Sequence, residues 1–177
     1  MHAFVDESRR NDTYYLAAAI VQPRDLKRLR VGLRGLLLPG QRELHFYNEK
    51  QARRRLLVSK LVEFGPRVDI YRASCRRGEE PARQECVARL TDDLLDARGH
   101  RLVFDSREAR DVLDVHTVRS ALNKRRSENS LVYEHLDSVD EPLLWLADTA
   151  VWCYGAGGDW ARRVAPMIGS VIRLDWP

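Results

Sequence analysis

The run Leu143-Leu144-Trp145-Leu146-Ala147-Asp148-Thr149-Ala150-Val151-Trp152-Cys153-Tyr154 constrains the fold of this chain more than any other segment. Pro142 ahead of it and Gly155-Ala156-Gly157-Gly158 behind it are start and stop signals for a helix. The helix is apolar on nearly every side, so it belongs inside the protein rather than on its surface. It is too short and too interrupted to span a bilayer. Asp148 is its single ionisable carboxylate. Left ionised and alone in such surroundings, a carboxylate costs on the order of several kcal/mol unless it is paired or binds a metal. The fold therefore has to bring Asp148 a partner, an arginine or a metal ion.

The 177 residues suffice for one domain with a hydrophobic core, and 44% hydrophobic with 32% charged residues describes a soluble globular protein. The N-terminus turns acidic at Asp6-Glu7, unlike a signal peptide, so the expected location is cytoplasmic. Cys75, Cys86 and Cys153 stand far apart with no Cys-x-x-Cys pair, which disfavours a zinc site or a disulfide framework. The net charge is only +4, but Arg53-Arg54-Arg55, Arg76-Arg77 and Lys124-Arg125-Arg126 are local basic clusters. They suit bidentate phosphate contacts, and an arginine-rich codon usage explains them equally well.

Along the chain, His2 to Ser8 reads as a strand, Arg9 to Thr13 as a polar turn and Tyr14 to Val21 as a second strand stopped by Pro23, together an antiparallel hairpin. Leu26, Leu29, Leu33 and Leu36 give helical spacing over Arg24 to Leu37. Glu43 to Phe46 is a short segment before a helix from Glu49 to Phe64. Strands at Arg67 to Cys75, Arg101 to Asp105 and Leu131 to Leu136 alternate with helices at Pro81 to Ala97 and Arg107 to Arg126, and Ser170 to Leu174 suits a last strand. A hairpin followed by alternating strands and helices implies an α/β sheet of mixed direction with helices on its faces.

Four acids fit a surface role poorly: Asp6 inside the first strand, Glu43 beside His45, Asp105 at a strand end where α/β folds present ligands, and Asp148. Each has a plainer reading. Asp105-Ser106 suits a helix cap, Glu43 a solvated loop, Asp6 a rim position and Asp148 an arginine pair. Jointly they suggest a carboxylate cluster, which repels itself unless a cation neutralises it. Oxygen-only ligands suit Mg²⁺ or Mn²⁺, and two such ions about 4 Å apart promote phosphodiester cleavage.

The segments Phe4-Val5-Asp6-Glu7-Ser8, Tyr14-Tyr15-Leu16-Ala17-Ala18, Glu43-Leu44-His45-Phe46, Val103-Phe104-Asp105, Leu136-Asp137-Ser138 and Pro142 through Asp148 resemble, in order, those of the domain of unknown function 3800 family. The resemblance covers residues 2–155. It implies a single ribonuclease H-like domain over residues 1–177, with a mixed sheet, an antiparallel opening hairpin and helices on both faces. It also implies a nuclease site in which Asp6, Glu43, Asp105 and Asp148 hold Mg²⁺ or Mn²⁺, with Asp6 bridging and Glu49 the local rival of Glu43. His45, Lys124, Arg125 and Arg126 are the candidate contacts to a nucleic-acid substrate, RNA or DNA. His116 and His135 read as structural, Trp145 and Trp152 as core, and Ser138 as a turn residue. Arg9 stands where that family has glycine. If its guanidinium filled the acidic site, the chain would be a noncatalytic nucleic-acid or protein-binding module.

Overall fold

A computed structural model describes residues 1–106, 111–125 and 131–174. Six strands form one sheet: β1 (His2–Arg10), β2 (Thr13–Val21), β3 (Arg67–Ser74), β4 (Arg101–Asp105), β5 (Val132–Leu136) and β6 (Ile168–Leu174), in the order β5-β4-β1-β2-β3-β6. β1, β2 and β3 are an antiparallel meander. β4 joins β1, β5 joins β4 and β6 joins β3, each in parallel. The opening hairpin is longer than its sequence suggests. Arg9 and Arg10 remain paired with Tyr14 and Thr13, so the turn shrinks to Asn11-Asp12. Asn11 makes it possible by adopting φ +51°, a conformation asparagine tolerates better than most residues.

Six α-helices are described: α1 (Leu26–Arg34), α2 (Gln51–Phe64), α3 (Glu79–Asp96), α4 (Asp111–Arg125), α5 (Leu144–Ala156) and α6 (Gly158–Val164). Side-chain alternation along the strands divides the core in two. Phe4, Ala17, Ala19, Ile70 and Val103 face α1, α2, α5 and α6. Ala3, Val5, Leu16, Tyr71 and Phe104 face α3 and α4. α5 packs on β1 and β2 and against α6, and this cover on several sides is what its all-round apolar sequence requires. The alanines of β2 have a packing reason: Ala17 and Ala19, fully buried, leave room for α5 to lie close to the sheet.

Sequence and structure differ at α6. The Gly155–Gly158 cluster does end α5, with Gly157 at φ +71°, but the chain re-enters helix at once from Gly158. Cys75, Cys86 and Cys153 are buried free thiols, and burial pushes the Cys153 thiol up to about 12. Among the described residues no helix is long and apolar enough to cross a membrane.

Candidate functional site

Strand parity brings the first two acids together. In the parallel β1–β4 pair Val5 lies opposite Phe104, and both point into the α3–α4 core. Their successors, Asp6 and Asp105, therefore emerge side by side on the other face, at the carboxyl end of β4. α5 crosses that face over β1 and presents Asp148, whose side chain is 16% exposed. Asp148 Oδ2 accepts a hydrogen bond from the Phe46 N–H at 2.9 Å and lies 3.6 Å from His45 Nδ1. Among the described residues no arginine pairs with it. The contact with Asp148 raises the pKa of the His45 imidazole above its ordinary value, against the smaller opposing effect of desolvation.

The fourth acid arrives on a loop. Glu43 accepts the Ser138 hydroxyl proton, and the Ser138 carbonyl accepts from Trp145 Nε1 at 2.9 Å, so the segment after β5 ties Glu43 to the first turn of α5. Asp6, Glu43, Asp105 and Asp148, with His45 and Ser138, line one cleft of about 450 Å³. Glu49, the rival of Glu43, is instead occupied by Arg53 at 2.7 Å and by Gln41 at 2.8 Å. Asp137, which the sequence did not single out, also lines the cleft, but its carboxylate accepts the Val139 N–H at 2.8 Å and shapes the turn.

The donor set fits a hard divalent cation: it is carboxylate oxygen, with imidazole at the rim and the thiols buried. The described residues contain no group of three or more His, Cys, Asp or Glu already gathered as a metal cage. The cleft carboxylates carry protein contacts instead. Asp6 Oδ1 accepts the Glu7 N–H at 2.7 Å, Asp148 the Phe46 N–H and Glu43 the Ser138 hydroxyl.

Other candidates lie elsewhere. Arg9, two positions past Glu7, faces α3 rather than the cleft and pairs with Glu79 at 3.1 Å. Lys124 lines a separate groove between α3 and α4, as does His116, while Arg126 and the Arg125 side chain fall outside the described residues. Trp145 is core; Trp152 is half-buried beneath two guanidinium groups.

Sequence reasoning missed a second charged cluster on the opposite face of the sheet. Glu7, adjoining Asp6, meets Arg83 at 3.0 Å and accepts the Tyr14 hydroxyl proton; Arg83 also grips Asp114, and His135 Nε2 lies 3.4 Å from Asp114. Burial, then the Glu7 charge, pushes the Tyr14 hydroxyl far above its ordinary value, so it stays a donor. The legible signal was Arg83 itself, an arginine on the stripe of Cys86, Val87 and Leu90 that α3 buries.

The sheet order and the site can be set beside known proteins. A chain in the structure of the PCNA:RNase HII complex from Archaeoglobus fulgidus superposes with TM-score 0.51 over 86% of this chain and 70% of that chain, at 18% identity. The fold is ribonuclease H-like. At that identity the likeness carries the fold and says nothing of activity. No protein-family model matches the chain, and no curated protein matches it. Within the ribonuclease H-like fold, β1 and β4 are the strands that set Asp6 beside Asp105, and α5 closes over them with Asp148.

Proposed function

We propose that this protein is a divalent-metal-dependent phosphodiesterase acting on nucleic acid, and that it belongs with the domain of unknown function 3800 family its motifs resemble. The observation that carries the reading is the convergence of Asp6, Glu43, Asp105 and Asp148 from four separate parts of the chain on one cleft. Structural acids disperse over a surface or pair with arginines; acids drawn from two adjacent strands, a helix and a loop suit cation binding. Asp6, Glu43, Asp105 and Asp148 would hold Mg²⁺ or Mn²⁺. When bound, such ions stabilise negative charge on the attacking and leaving oxygens of a phosphodiester.

The chain's own residues supply orientation. Asp6 stands beside Asp105 on the neighbouring strand, the position from which it serves both sides of the site. Asp148 is aimed from above and fixed by the Phe46 N–H. Ser138 holds Glu43 on the cleft wall. His45, exposed at the rim of the cleft, would meet a substrate phosphate.

Arg9 was the sequence feature favouring a noncatalytic module, and its pairing with Glu79 away from the cleft removes that support. The test is a panel of labelled single-stranded RNA, single-stranded DNA, duplex and hybrid, incubated with Mg²⁺, Mn²⁺ or EDTA. Cleavage of at least one substrate with a divalent ion, abolished by EDTA, is the expected outcome. Cleavage that persists in EDTA, or none under any condition, refutes the reading.

A further inference from the structure

Beyond the cleft, the same face of the sheet carries a group of arginines of a different kind. Asp6, Ser8 and Arg10 alternate onto the α5 side of β1, so Arg10 lies ~13 Å along the strand from Asp6. Trp152 follows Asp148 by one turn of α5. The Arg10 Cζ sits 5.4 Å from the Trp152 ring centroid and the Arg54 Cζ 4.7 Å from it. A Cβ on Gly155 would meet Arg10 Cγ at 3.1 Å and Tyr15 Cδ2 at 3.7 Å, so this glycine lets the Arg10 and Tyr15 side chains close over α5. Tyr15 lies opposite Arg72 across the β2–β3 pair, and the Arg72 Cζ is 6.0 Å from the Tyr15 ring.

Arg10, Arg54 and Arg72 are therefore ordered on aromatic rings in one continuous strip, and among the described residues none of them pairs with a carboxylate. Elsewhere arginines do pair: Arg30 with Glu141, Arg53 with Glu49, Arg67 with Asp69, Arg83 with Glu7 and Asp114. The Nε of Arg10 and of Arg72 are buried without a hydrogen-bond partner. Arg54 donates to the carbonyls of Phe46 and Tyr47, and the Phe46 N–H holds Asp148, so the strip and the cleft share a backbone link. Like charges gathered without counter-charge repel one another, and a polyanion relieves that repulsion. Arginines already lie over Trp152, which favours phosphate contacts over base stacking.

We propose that Arg10 and Arg72, with Arg54, form a backbone-binding track that receives the phosphates of a nucleic-acid strand leaving the acidic cleft, without regard to its sequence. This deepens the nuclease reading and rests on it for the identity of the strand. Phosphate contacts release counterions, so each contributes to the salt dependence of binding, by ~0.7 in the slope of log affinity against log salt for a single strand.

The experiment is fluorescence anisotropy of a labelled oligothymidylate of ~16 nucleotides, titrated with the full chain in EDTA over a series of salt concentrations. The double variant Arg10→Gln, Arg72→Gln is expected to flatten the slope by about 1.4, two contacts at ~0.7 each. The double variant with lysine at both positions keeps the wild-type slope, which separates charge from folding. Arg24→Gln removes one such charge just beyond the far end of β2, on a side chain 87% exposed, and leaves the slope unchanged, where a single track contact would flatten it by ~0.7. An unaltered slope in the glutamine variant, no binding by the wild type, or tighter binding of polyglutamate than of the oligonucleotide overturns the track. Metal-dependent cleavage with an unaltered slope defeats the track and spares the nuclease reading. A flattened slope in a protein that cleaves nothing does the reverse.

Discussion

Asp6→Asn is expected to lower metal-dependent cleavage at least about 10³-fold, equivalent to ~4 kcal/mol of transition-state stabilisation. The substitution is isosteric, and asparagine Oδ1 retains the ability to accept the Glu7 N–H that Asp6 accepts at 2.7 Å. What it removes is one negative charge beside Asp105 and below Asp148. Because the local hydrogen bond survives, the urea unfolding midpoint should move little while the rate collapses. An Asp6→Asn protein that cleaves at the wild-type rate would show that the cleft acids do not hold the ion on which cleavage depends. Glu7→Gln, next along the strand but on the opposite face, acts on a different group and should be read by stability instead.

That opposite face gives the second large effect. Arg83→Met is expected to destabilise the protein by ~3–5 kcal/mol, the usual cost of removing one partner from a buried ion pair. The Arg83 side chain is 4% exposed, and its loss strands Glu7 and Asp114, at 11% and 4%, without their guanidinium. A typical domain has only about 5–15 kcal/mol in hand, so the shift in urea midpoint should be plain. Restoring neutrality with Glu7→Gln and Asp114→Asn in the Arg83→Met background should recover part of the loss. A single variant within about 1 kcal/mol of wild type would mean that Glu7 and Asp114 find other compensation. The cluster bears on the site because Glu7 follows Asp6: the ion pair fixes β1 from below where Asp6 emerges above.

Much of the fold was legible in local sequence, because its signals are strong where burial is one-sided or complete. β4 runs over Arg101–Asp105 as its apolar triplet suggests, and α5 lies between the proline and glycine signals that bound it. α6 was not legible, since a glycine pair reads as a stop and only the backbone turn at Gly157 reveals the restart. The Glu43 loop has no periodicity; its place depends on Ser138, nearly a hundred positions away in the chain.

The same division holds for the site. Asp148 stood out because an apolar helix cannot hide a charge, and its neighbours turned out to be a backbone N–H and His45. The adjacency of Asp6 and Asp105 required knowing that β1 and β4 pair in parallel with Val5 opposite Phe104. Arg9, weighed as a guanidinium that would fill the acidic site in the alternative reading, lies on the other face from Asp6, beside Glu79, as strand alternation requires. Arg83 had a signal in its place on the buried stripe of α3, whereas Arg10 was hidden by the abundance of arginine, where only three-dimensional pairing separates a solvated charge from a stacked strip.

The most direct test of the central claim is a crystal structure of the protein soaked in Mn²⁺, with the ion located by its anomalous scattering. One or two ions are expected in the cleft, with carboxylate oxygens of Asp6, Asp105 and Asp148 drawn to within about 2–2.6 Å. A cleft without an ion at saturating Mn²⁺, or with a guanidinium seated among the three carboxylates, would contradict it.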